Sequence, residues 1–133
     1  MEHINTIELE HQKMVKALVK LPEEILAALT PTMVDLLHAA LGIATEGGEI
    51  LDAVKAHVIY GKPIDAENIL EELGDIEFFL QQFRTNRGLT REQALHHNVK
   101  KLAKRYKGSQ YSDQAAIVRE DKKITGETDN KVL

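Results

Sequence analysis

Apolar residues along this chain recur at intervals of three and four and almost never alternate over a long stretch, which is the period of helices rather than strands. The pattern predicts an all-α fold. Ile7, Met14, Leu18 and Leu21 stripe an amino-terminal helix that Pro22 ends or restarts, with Ile25, Leu26 and Leu29 on a short second turn. A long helix begins at Thr30-Pro31-Thr32, where a threonine cap precedes a proline whose φ is already helical. It carries Met33, Leu36, Leu37, Leu41, Ile43, Ile50, Val54 and Val58 until Gly61-Lys62-Pro63 breaks it. The next helix opens near Asp65 and runs through Ile69, Leu70, Leu73, Ile76, Phe79, Leu80 and Phe83 to Gly88. Thr90 and Gln93 then have the spacing of a capping box at the start of a further helix that reaches about Tyr106. Beyond Lys107-Gly108 the periodicity fades into a polar tail, residues 109–133, with a short apolar cluster at Ala115, Ala116, Ile117 and Val118. No internal repeat or linker divides the chain, and 133 residues suit one domain.

Two acidic pairs sit inside this helical pattern, Glu46-Gly-Gly-Glu49 on the long helix and Glu72-Leu-Gly-Asp75 on the next. Residues at i and i+3 share a helix face with β-carbons about 5–6 Å apart, so two such helices facing one another would converge four carboxylates. Carboxylates crowded in a buried cleft must take a cation or a proton, and oxygen-only ligands at this density suit Mg²⁺ or Mn²⁺. One E-x-x-E alone usually decorates a solvated face; two pairs on adjacent apolar helices are more specific. Gly47 and Gly48 add to the signal, because each glycine in a helix interior costs about 0.8–1.0 kcal/mol relative to alanine. They and Gly74 leave room for a ligand or another helix, or else the helix kinks or ends at the glycine pair. Asp52, at i+3 from Glu49, falls on the same face as an outer group, and Glu71 points elsewhere.

Composition narrows the classes. The hydrophobic fraction of 43% and charged fraction of 29% are those of a folded globular protein. The chain has no cysteine, which excludes thiolate metal sites and disulfides. No apolar run reaches the ~18–20 residues of a membrane span and no signal-type segment opens the chain, so the expected location is cytoplasmic. A net charge of −4 argues against nucleic acid as a partner. One local basic run stands out, Lys100, Lys101, Lys104, Arg105 and Lys107. Lys101 and Arg105 lie four apart and Asn98 three before Lys101, so the three share a face suited to a polyanion and its sugar or base. Cations near a helix C-terminus also serve simply to satisfy its dipole. Tyr106 either stacks on a base or anchors the helix.

The histidines and phenylalanines add little. His96 and His97 project about 100° apart on a helix and do not share a metal. His38 packs or faces solvent, and Phe78, Phe79 and Phe83 belong to a core or an interface. A carboxylate-bridged di-iron bundle would call for Glu-x-x-His pairs, and neither acidic motif has one.

Taken in order, Glu46-x-x-Glu49, Glu72-x-x-Asp75 within Glu71-Glu-Leu-Gly-Asp75-Ile, and Asn98-Val-Lys-Lys101-Leu-Ala-Lys-Arg105-Tyr106 resemble the MazG-like, all-α nucleoside triphosphate pyrophosphohydrolases, a superfamily that includes dimeric dUTPases and phosphoribosyl-ATP pyrophosphohydrolases. Tyr111-Ser112 and Arg119-Glu-Asp121 look like the family's closing segment, so the resemblance spans roughly residues 32–121. It implies an antiparallel four-helix core of the NTP pyrophosphatase type with a short N-terminal helical extension, a domain over residues 1–108, and a mostly irregular tail, 109–133, packing on the domain or on a partner subunit. The implied metal ligands for Mg²⁺, or Mn²⁺, are Glu46, Glu49, Glu72 and Asp75, with Glu46 or Glu49 orienting or deprotonating the attacking water. Lys101, Arg105, Asn98 and Tyr106 would meet the triphosphate and nucleotide, Lys101 with a catalytic share. The implied reaction is hydrolysis of a nucleoside triphosphate, a dNTP or a non-standard NTP, to monophosphate and pyrophosphate by a homodimer or homotetramer. The alternative is a non-catalytic helical oligomerisation or regulatory module whose carboxylates pair with its lysines.

Overall fold

The computed structural model describes residues 6–122, and among them the regular structure is helical with no strand. Six α-helices follow in order, α1 (Thr6–Leu18), α2 (Pro22–Ala28), α3 (Pro31–Tyr60), α4 (Ala66–Arg87), α5 (Arg91–Arg105) and α6 (Asp113–Val118), then a 3₁₀ turn, η1 (Glu120–Lys122). None of these helices is long and apolar enough to cross a membrane.

Local chemistry sets the helix ends. The Thr30 hydroxyl accepts the Met33 N–H at 3.2 Å with Pro31 in the first turn, and Asp65 accepts the Asn68 N–H at 3.1 Å. Thr90 and Gln93 exchange the two bonds of a capping box, 3.1 and 2.8 Å. Gly61 and Gly88 close α3 and α4 in the left-handed region, φ 65° and 63°, which an L side chain enters only with strain.

The short turn between α3 and α4 lays them antiparallel, and theirs is the extensive helix–helix contact among the described residues. Asp35 at one end accepts the side-chain amides of Gln82 and Asn86, each at 2.7 Å. Next along the seam, His38 meets the edge of Phe79 with centroids 5.7 Å apart, and the Phe79 ring lies directly on Gly42. Ala39 is fully buried beside them. The seam then passes to Glu46 and Glu72.

Packing inside one chain is therefore narrower than a four-helix core closed by the helix that follows Thr90. The second contact of note is α5 against η1, while Leu18, Leu26 and Val99 on α1, α2 and α5 stay exposed. Apolar periodicity says that a face is to be covered, not what covers it. The segment expected to be mostly irregular is ordered further than its pattern suggests: the Ser112 hydroxyl caps α6 by accepting the Ala115 N–H at 3.1 Å, and Arg119 ends it at φ 49°. The remainder of that expected tail, 123–133, lies outside the described residues, as do residues 1–5.

Candidate functional site

The i, i+3 spacing puts Glu72 and Asp75 on the face of α4 that looks toward α3, and Glu46 faces them from α3. One carboxylate oxygen from each of the three lies within 4.8 Å of the others. Glu72 is the buried member, 6% exposed, and its side chain accepts the Asn68 amide at 2.9 Å. Glu46 lies 3.3 Å from the Thr45 hydroxyl, which also bonds the Gly42 carbonyl at 3.0 Å.

Burial pushes the Glu72 carboxyl above its ordinary value, and a hydrogen bond with Glu46 and the charges of Glu49 and Glu46 push it further. The Asn68 amide opposes them and does not win. With the carboxylates of Glu46, Glu49 and Glu72 near one side-chain amide, this cleft holds more negative charge than its own donors satisfy. All donors are oxygen, the set that suits a hard divalent cation. Glu49 stands outside the group of three, yet its charge reaches Glu72.

Among the described residues nothing occupies the room expected over the glycines of the acidic pairs. A β-carbon at Gly47, Gly48 or Gly74 would meet nothing within 4 Å, and the tight approach is at Gly42, where the ring of Phe79 occupies the space. Asp52 and Glu71 are exposed and outside the cluster. His38 is engaged with Phe79, and His96 pairs with Glu92 one turn away at 3.5 Å. His11 lines a shallow groove on α1 with Glu8, Glu10 and Met14.

On α5, Asn98 is exposed and Lys101 half-buried. Arg105 is already engaged, its Nε 2.6 Å from Oδ1 of Asp121 and its Nη2 2.8 Å from Oδ2. The guanidinium holds the Asp121 carboxyl down at about 2, and the carboxylate raises Arg105 in turn. Tyr106 stacks at a tilt on Tyr111, centroids 5.7 Å apart, beside a cavity of about 330 Å³ walled by Val99, Leu102 and Ala103. No hydrogen bond or ion pair joins α5 to the three carboxylates among the described residues. The chain thus gathers most of the expected metal ligands and does not bring the basic segment onto them.

The charge pattern of α5 did not disclose the Arg105–Asp121 pair, because the partner lies sixteen positions on, in a segment without long periodicity. The amide clamp on Asp35 was also missed; its signal was the i, i+4 spacing of Gln82 and Asn86. No protein-family model matches this chain, and neither a curated protein nor a solved structure is found to be similar to it.

Proposed function

We propose that the protein is a Mg²⁺-dependent nucleoside triphosphate pyrophosphohydrolase that releases a nucleoside monophosphate and pyrophosphate, acting on a dNTP or a non-standard NTP in cytoplasmic nucleotide-pool housekeeping. The observation that carries this reading is the convergence of Glu46, Glu72 and Asp75 from two facing helices around a buried, proton-hungry Glu72. Such a cleft suits a cation that it does not itself supply, and Mn²⁺ satisfies the same donors. Bound there, the divalent ion supplies charge neutralisation at phosphoryl oxygens and acidifies water. Glu46, Glu72 and Asp75 hold it. Glu49 completes the ligand set or, standing beside the group of three, takes the proton of the attacking water. Lys101 and Asn98 present a cation and an amide to the phosphate chain and sugar from α5, with Arg105 and Tyr106 following on the same helix. In this reading the α3–α4 hairpin is the metal half of an all-α NTP pyrophosphatase core, and a second copy of the chain completes the four-helix arrangement.

A second reading, a non-catalytic helical oligomerisation module, draws support from the apolar faces left exposed. One assay separates the two. The protein with Mg²⁺ and a panel of canonical, deaminated and oxidised triphosphates should give pyrophosphate and monophosphate in equal amounts. Asp75→Ala should abolish turnover while the helical circular dichroism stays. Orthophosphate as product would remove the pyrophosphohydrolase reading, and no turnover with any triphosphate would leave the module.

A further inference from the structure

The basic end of α5 and the turn after it carry Lys100, Lys101, Lys104, Arg105 and Lys107 within eight positions, and among the described residues only Arg105 of these has an ion-pair partner. That partner, Asp121, comes from the chain's own strap, residues 107–122. A carboxylate gripped by two parallel N–H donors of a guanidinium has the shape of a phosphate gripped the same way. The pair is well covered, with the side chains 15% and 1% exposed. Within the strap α6 buries no residue, and Ile117 is 77% exposed. Its course also requires Ser109 and Arg119 at φ 56° and 49°, left-handed positions that a residue other than glycine enters only with strain. The Arg105–Asp121 pair, beside the Tyr106–Tyr111 ring contact, ties to α5 a segment whose backbone turns oppose docking.

We propose that Asp121 is an internal occupant of a phosphate-chain-binding face on α5, and that the strap is an autoinhibitory contact which a polyphosphate displaces from Arg105. The choice of a phosphate chain as ligand rests on the pyrophosphohydrolase reading. Breaking a buried ion pair is costly when one charge stays buried and alone. Here the released strap carries Asp121 back into water while the phosphate takes over Arg105, so neither charge is stranded. Lys101, one turn earlier, supplies the second cation.

The test uses the full chain with tripolyphosphate alone, following binding by calorimetry at low salt and amide hydrogen exchange over residues 112–122. In the wild-type protein tripolyphosphate should accelerate exchange across that segment. Asp121→Asn should bind it about tenfold more tightly, because apparent affinity falls by the fraction of molecules whose site is open. Arg105→Ala should bind weakly and gain nothing from a further Asp121→Asn. Unchanged exchange on adding tripolyphosphate, or equal or weaker binding by Asp121→Asn, would make the pair a permanent clasp and overturn the proposal. Release of the strap by tripolyphosphate in a protein that hydrolyses no triphosphate would keep the latch and remove the enzyme reading, so the two stand or fall separately.

Discussion

Glu72 and Asp35 occupy the same seam between α3 and α4 and titrate in opposite directions. Two neutral amides, from Gln82 and Asn86, give both oxygens of Asp35 a donor and hold it below 3.8. Glu72 is buried with one amide and two neighbouring carboxylates, and it rises above 4.5. The first carboxylate is satisfied by the fold and belongs to structure; the second is left in need, and that need is what marks a site. The sign of the linkage follows. A carboxyl raised in the folded state binds its proton more tightly there, so its contribution to stability is present at low pH and lost as pH climbs from 4.5 through the raised value. Metal-free protein should therefore lose stability across that interval, and Glu72→Gln should flatten the loss and raise the melting temperature at neutral pH by a few degrees. Mg²⁺ should stabilise the wild type and not the variant. Thermal melts with EDTA and with Mg²⁺ read all three outcomes, and a variant melting below the metal-free wild type at neutral pH would refute the account of Glu72.

At the scale of the helix, the α3–α4 crossing depends on Gly42. A methyl added there overlaps the Phe79 ring, so Gly42→Ala should destabilise by about 1–3 kcal/mol from overpacking, against a gain of about 1 kcal/mol that alanine brings to an open helical position. Phe79→Leu in the Gly42→Ala background should recover part of the loss in a urea titration. A more stable Gly42→Ala protein would mean that the two helices stand further apart. That this glycine matters was not legible in the sequence, where Gly47, Gly48 and Gly74 drew attention by lying between paired acids. Spacing reveals which residues share a face; what arrives opposite a glycine depends on the neighbouring helix. The helix ends were legible at Thr30, Gly61, Asp65, Gly88 and Thr90 because caps are made by residues a few positions apart. The convergence of Glu46 with Glu72 and Asp75 was legible for the same reason, since two i, i+3 pairs on consecutive antiparallel helices need only a short turn to meet. The engagement of Arg105 was hidden, because Ser112 to Asp121 holds one six-residue helix and a single turn, too short to show a period.

At the scale of the whole molecule, the described residues leave wide apolar faces open to water. Ala39 is the buried apolar residue among those described, while Leu41, Leu51, Leu70 and Phe78 stay largely exposed. Two helices make one layer, and a stable domain needs a second layer over its apolar face. Obligate homodimers cover such faces by burying roughly 2,000–5,000 Å² counted over both partners, and the open space over Gly47, Gly48 and Gly74 allows a partner helix a close approach. Sedimentation should accordingly find a dimer or tetramer at micromolar concentration, with a melting temperature that rises with protein concentration. Replacing both Gly47 and Gly48 by alanine separates this from a lone hairpin. Without a partner the two substitutions would stabilise α3 by about 0.8–1.0 kcal/mol each; against a partner helix seated on the bare backbone they should weaken the assembly even as intrinsic helicity rises. A monomer whose melting ignores concentration, or a double variant that is both more stable and equally assembled, would place the missing layer somewhere other than over these glycines.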